Sequence, residues 1–213
     1  METKIVGTKT DIQEVPEGTS SFHYEVGECG NFTLLLLALG RVPSSVEATI
    51  RLVGKGACAT IVGIIIGKGN SSFSLHTEQQ HEAPETTSTL LVKTVLTDQA
   101  TCRYDGGIRV EKQAQKTDAY QRNENLLLSD KAHAESKPSL EILANDVRCT
   151  HGATVGHIPE DQLWYLATRG IGRTTGEELV VSGFLKSAVE NVGDEQTRAR
   201  VVGWIDRAMY NDK

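Results

Sequence analysis

The chain has 213 residues, 28 acidic against 22 basic, and a net charge of −6 with the two signs interspersed. That length fits one domain, or one domain with a small appendage, and buries a real core without staples. The acidic balance offers no basic groove for nucleic acid and no basic face for anionic lipid, and 5% aromatic residues are too few for a base-stacking platform.

The first residues, METKIVGTKTDIQEV, lack the long apolar stretch of a signal peptide. The longest apolar runs, Leu34 to Leu39 and Ile61 to Ile66, are far too short to span a bilayer. Four cysteines, Cys29, Cys58, Cys102 and Cys149, form no C-x-x-C pair. A reduced, cytoplasmic protein is expected, in which the sequons at Asn31 and Asn70 carry no weight.

From about Phe32 to His151 the chain reads as many short strands. SVEATIRLVG alternates, with Val46, Ala48, Ile50 and Leu52 on one face. ATIVGIIIG is continuously apolar, as a strand covered on both sides would be. TSTLLVKTVL, GGIRVEKQA, ENLLLSD and SLEILAND follow, punctuated by glycines but with few tight hairpin signals. This fits a solenoid at least as well as a sandwich, and with no sequence period the pattern leaves both open.

After Gly156 the period becomes helical. Pro159 suits a first helical position, and EDQLWYLATR stops before Gly170. Thr174 and Glu177 match a capping box, with Leu179, Val180, Phe184 and Ala188 as the apolar stripe behind it. Val201, Trp204, Ile205 and Met209 form a similar stripe. The expected organisation is a β domain over 1–156 and a helical segment over 157–213.

Most candidate motifs are weak. GIIIGKGN, Gly63 to Asn70, fails as a phosphate loop because Gly69 follows Lys68 where Ser or Thr is needed. His76, Glu78, His81 and Glu82 match no standard metal spacing, and His133 with Glu135 is equally bland. Cys149 and His151 are different: two apart in a strand, they share a face and both can bind a soft or borderline metal. Spacing alone favours the plainer alternative, with Val147 and Cys149 facing the core and His151 ending the strand.

The stretches NLLLSDKAHAESKPSLEI, DVRCTHGATVG and DQLWYLATRGI resemble the SufB/SufD family of iron–sulfur cluster assembly proteins, over about Leu90 to Ala188. The resemblance implies a mainly β fold, a right-handed parallel β-helix with a C-terminal helical segment. It implies a scaffold that is not itself an enzyme. Its partners would be a SufC-like ABC ATPase, docked on the C-terminal helices, and a SufB-like subunit or a second copy of this chain, with no nucleic acid and no membrane. A transient iron–sulfur cluster would form at the subunit junction, with none intrinsically bound.

SufB-type chains carry a cysteine where this one has Asn123, and an acidic residue where it has Gly152. CTHGATVG instead resembles the SufD type, which places His151 at the position of a cluster ligand, with Cys149 beside it. The missing cysteine implies that the chain does not accept sulfur by the SufB route alone. Members are much longer and carry an N-terminal helical region before the β-helix. Trp164, Tyr165 and Phe184 are the expected docking residues, or else packing against the β-helix. The rival readings are a β-helix carbohydrate-active enzyme, for which Asp98 and Asp105 are the available acids, and a structural module without cluster chemistry.

Overall fold

The computed structural model describes residues 2–40, 44–190 and 192–210; residue 1 and residues 211–213, at the outer ends of the two expected units, lie outside them. Twelve strands are followed by three helices. The strands are β1 (Glu2–Ile5), β2 (Thr8–Glu14), β3 (Gly18–Val26), β4 (Asn31–Gly40), β5 (Ser44–Leu52), β6 (Cys58–Gly67), β7 (Ser72–His81), β8 (Thr87–Leu96), β9 (Thr101–Val110), β10 (Thr117–Leu127), β11 (His133–Ile142) and β12 (Val147–Gly156). The helices are α1 (Glu160–Thr168), α2 (Arg173–Lys186) and α3 (Glu195–Tyr210), with a 3-10 turn at Ser187–Val189.

Odd-numbered strands form one sheet and even-numbered strands the other, each in sequence order and with parallel pairing. Each coil therefore gives one strand to each sheet, and the molecule is a parallel β-helix. This decides between solenoid and sandwich. It also explains the missing period: Glu2 faces His23, Asn31 faces Cys58 and Thr101 faces His133, offsets of 21, 27 and 32 residues. Coils of unequal length, 21 to 32 residues, stack in register although the sequence does not repeat at a fixed period.

The corners stack as well. Cys29, Gly56, Glu85 and Lys116 occupy one left-handed corner position in successive coils, with φ of 51°, 69°, 60° and 59°. Each donates its amide to the next coil, to Lys55 O, Pro84 O, Gln115 O and Asp146 O at 2.6–3.2 Å. The hydrogen-bonded rungs thus continue round the bend at these four amides.

Strand alternation sets two apolar layers. Leu34, Ile61 and Leu90 stack in register inside the solenoid, all fully buried. The intervening Leu35, Leu37, Val62, Ile64 and Ile66 face outward from the even sheet and are buried beneath the helices. ATIVGIIIG is thus covered on both sides, as its composition suggests. The outer face of the odd sheet is polar and pairs charges across strands, as in Arg51 with Glu25 and Glu82 at 3.1 and 2.7 Å.

Helix α1 stops where expected: Gly170 has φ +81°, its amide reaches Ala167 O, and the Ile171 amide reaches Leu166 O. In α2 one expectation fails and one holds in part. The capping box does not form, because the helix starts two residues earlier, with Gly172 and not Thr174 at the cap, and Glu177 instead accepts from Arg173 Nε at 2.9 Å. Of the expected stripe, Ala188 is buried and Val180 and Phe184 pack partly buried against the core, but Leu179 is 49% exposed, and the fully covered positions of the helix are Gly176, Val181 and Leu185. The fit of Val181 and Leu185 onto the even sheet sets the helix rotation. Pro159 occupies the α1 cap position rather than the first turn. In α3, Val201 and Ile205 are fully buried and Trp204 and Met209 partly so, as expected.

Candidate functional site

Both sheets end in a strand paired on one side only, β11 in one and β12 in the other, so the last coil has no coil above it. Cys149 pairs in register with Ala119 and His151 with Gln121. Ala119 and Gln121 are inward-facing and buried. Cys149 and His151 therefore share the inward side of β12, as a two-residue spacing in a strand requires.

Their surroundings differ. Cys149 is half-buried against a small apolar cluster that includes Ile108, Val110 and Ala119, and this burial raises its thiol pKa. Val147 packs in the same cluster. His151 lies on the same side but is exposed, where no further coil covers it. Ile142 and Val155 also point inward yet stay 39% and 48% exposed. The open end is thus an apolar rim around an imidazole and a thiol.

Among the described residues, no group of three or more His, Cys, Asp or Glu side chains converges to hold a metal ion. Cys149 and His151 supply two donors, which fit part of a coordination shell and leave the rest to come from elsewhere.

The weaker candidates separate. His76 faces solvent from β7 while His81, an odd step away, is buried inside. His133 and Glu135 sit on the outer face of β11, where Glu135 pairs with Lys137 at 2.7 Å. The GIIIGKGN loop is a strand end and a corner: Gly69 has φ +63° and donates to Asp98 Oδ2, while Lys68 Nζ reaches Ala208 O at 2.6 Å and ties the corner to α3. Asp98 is a corner residue and Asp105 pairs with Arg103 at 2.8 Å on the outer face of β9, so the two acids are not brought together as a pair. Cys102 is buried inside, which pushes its thiol up to about 12.

The family model for the SufBD core domain of SUF-system FeS cluster assembly matches residues 10–184. The SufD proteins of Escherichia coli (strain K12) and Bacillus subtilis (strain 168), both iron–sulfur cluster assembly proteins, are each 32% identical over 163 residues, or 76% of this chain. The chain belongs to the SufBD core family. It spans 38% and 37% of the length of those two relatives. A SufBD family protein of Mycobacterium leprae (strain TN) is 27% identical over 198 residues, covering 89% of this chain and 50% of that protein. The match extends well upstream of Leu90, into strands that carry no recognisable motif.

Two SufBD positions gain a physical meaning here. Asn123, where SufB-type chains resemble one another in carrying cysteine, is fully buried inside the solenoid and reaches Val92 O at 3.4 Å. Gly152 faces outward, and a Cβ added there would meet nothing within 4 Å. Gly152→Glu, the SufB-like residue, should therefore change the unfolding free energy by no more than about 0.5 kcal/mol in urea titration. A large loss would show that the glycine is held by the fold and not by what docks on it.

On the helices, Trp164 is 70% and Tyr165 56% exposed. Arg173 holds α1 against α2 through Glu160, with oxygens at 2.7 and 2.9 Å. Phe184 instead packs against the core beneath Lys93, whose Nζ is 4.4 Å from the ring centroid. Lys93 also bonds Ser187 Oγ and pairs with Glu124 at 2.9 Å, pinning the end of α2 to β8 and β10. No short motif marks this network; it depends on the helix landing on the sheet. No helix among the described residues is long and apolar enough to cross a membrane.

Proposed function

We propose that this chain is a SufD-like scaffold subunit, cytoplasmic and without catalysis of its own. Its open last coil pairs with a SufB-like subunit or a second copy of itself, and α1 and α2 dock a SufC-like ABC ATPase. The iron–sulfur cluster is cargo, gathered at the junction, with His151 as an iron ligand and Cys149 beside it.

The observation that carries this reading is the placement of Cys149 and His151 on the inward side of an edge strand with one side open, in a chain of the SufBD family. An open edge with inward apolar residues left exposed is a surface that proteins cover. A cluster is held by about four protein ligands, so two donors supply half of them and the remainder would come from across the junction. Trp164 and Tyr165, exposed on a helix latched in place, are the aromatic anchors of the ATPase contact.

The test is co-purification with SufB-like and SufC-like subunits, followed by anaerobic iron–sulfide reconstitution. Wild type should assemble cluster absorbance only with its partners, and His151→Ala should lower the yield about tenfold. An unchanged yield would remove the ligand role and leave a structural one. Failure to retain any ABC ATPase through the helices would remove the scaffold reading itself.

A further inference from the structure

The solenoid interior changes character along its axis. The column that begins Leu34, Ile61 and Leu90 continues as Gln121 and then His151. Gln121 is fully buried, and neither its Nε2 nor its Oε1 has a hydrogen-bond partner. A buried amide left unpaired on both atoms is costly, and an aliphatic residue would extend the column below without that cost. Space has nevertheless been made for it: a Cβ on Gly106 would lie 2.2 Å from Gln121 Nε2 and 2.2 Å from the Tyr104 hydroxyl.

We propose that Gln121 is a positioning residue for His151, its buried amide fixing which ring nitrogen carries the proton. The two residues are in register on adjacent parallel strands and point to the same side, so side-chain torsions alone separate them. With Gln121 Nε2 turned toward Gly106 and Tyr104, Oε1 is the atom left to accept from an imidazole N–H. A neutral imidazole that donates through one nitrogen presents the lone pair of the other. Held from below, His151 presents that second nitrogen out of the open coil. The purpose of this device rests on the reading of His151 as an iron ligand, but its test does not.

The experiment is long-range proton–nitrogen correlation of the His151 ring in the 15N-labelled chain, above the pH of imidazole titration and without iron. Wild type should favour one tautomer about tenfold beyond the ratio of free histidine, the preference of one ordinary hydrogen bond. Gln121→Met keeps the shape and removes both unpaired atoms, so its urea midpoint should hold or rise while the tautomer ratio returns to that of free histidine. A residue with only a structural role would lose stability and leave the ring unchanged. The same tautomer ratio in Gln121→Met and wild type overturns the proposal. If that variant does not fold, a wild-type ring with the free-histidine ratio overturns it equally. A fixed tautomer in a chain that never assembles cluster would sink the proposed function and leave this inference standing.

Discussion

Gly54→Ala should lower the stability of the protein by about 4 kcal/mol, well beyond the usual cost of one added methyl group in a packed site. A Cβ at residue 54 would lie 1.9 Å from Glu28 N, 2.2 Å from Gly27 C and 2.4 Å from Glu28 Cα. These are backbone atoms of the neighbouring coil, so no rotamer change relieves the clash. Nor can that coil retreat easily, because its corner is pinned on both sides. Gly30 N bonds Gly27 O at 3.0 Å, Cys29 N bonds Lys55 O at 3.0 Å, and Gly54 N bonds Val26 O at 3.2 Å. The Tm should fall by about 8–16 °C for a domain of this size. Gly183→Ala is the matched control: a helical glycine with nothing within 4 Å of an added Cβ, expected to gain about 0.5–1 kcal/mol. If the two variants unfold at the same urea concentration, the close approach of the two corners is not there.

Residues like these show which parts of the fold were legible in the sequence. The even sheet could be read from Ile61 to Ile66, because burial on both faces leaves an unbroken apolar run. The solenoid could not be read from periodicity, because its coils differ in length. The resemblance of CTHGATVG and its neighbours supplied what pattern withheld. In the helices the punctuation was legible at Gly170, where only local backbone is involved. The rotation of α2 was not, because it depends on where the helix meets β8, more than eighty residues before Val181 and Leu185 in the chain.

The candidate site was half legible for the same reason. That Cys149 and His151 share a face follows from a spacing of two. That the face is inward, uncovered and underlain by Gln121 follows only from the stacking of coils. One signal was available: Ala119, Gln121, Asn123 and Asn125 alternate with outward residues in DAYQRNENLL, which gives the inward face of a strand three amides. Polar residues at the core period are uncommon, and they mark the coils where the interior stops being a plain hydrophobic filler.

His81 belongs to the same polar stretch of the interior, and it makes the fold sensitive to acid. Its ring is fully buried in β7, sharing hydrogen bonds with Thr86 Oγ1 at 2.8 Å and Ser88 Oγ at 2.7 Å. Burial disfavours the imidazolium and lowers the pKa from 6.5 to about 4. The unfolded chain thus binds this proton more tightly than the folded one. The contribution is fully present above about pH 6.5, and stability falls as pH drops from there through about 4. A depression of this size corresponds to about 3 kcal/mol lost across that window. His81→Leu should flatten this part of the pH–stability curve, since no group titrates there. Each of its two hydroxyl partners keeps one hydrogen bond: Thr86 Oγ1 still donates to Ala83 O at 3.1 Å, and Ser88 Oγ still accepts from Gln79 Nε2 at 2.6 Å. Urea unfolding of both proteins at pH 7, 5.5 and 4.5 checks this. Parallel curves for wild type and His81→Leu would place the acid sensitivity in other groups and show that the buried ring protonates without resistance.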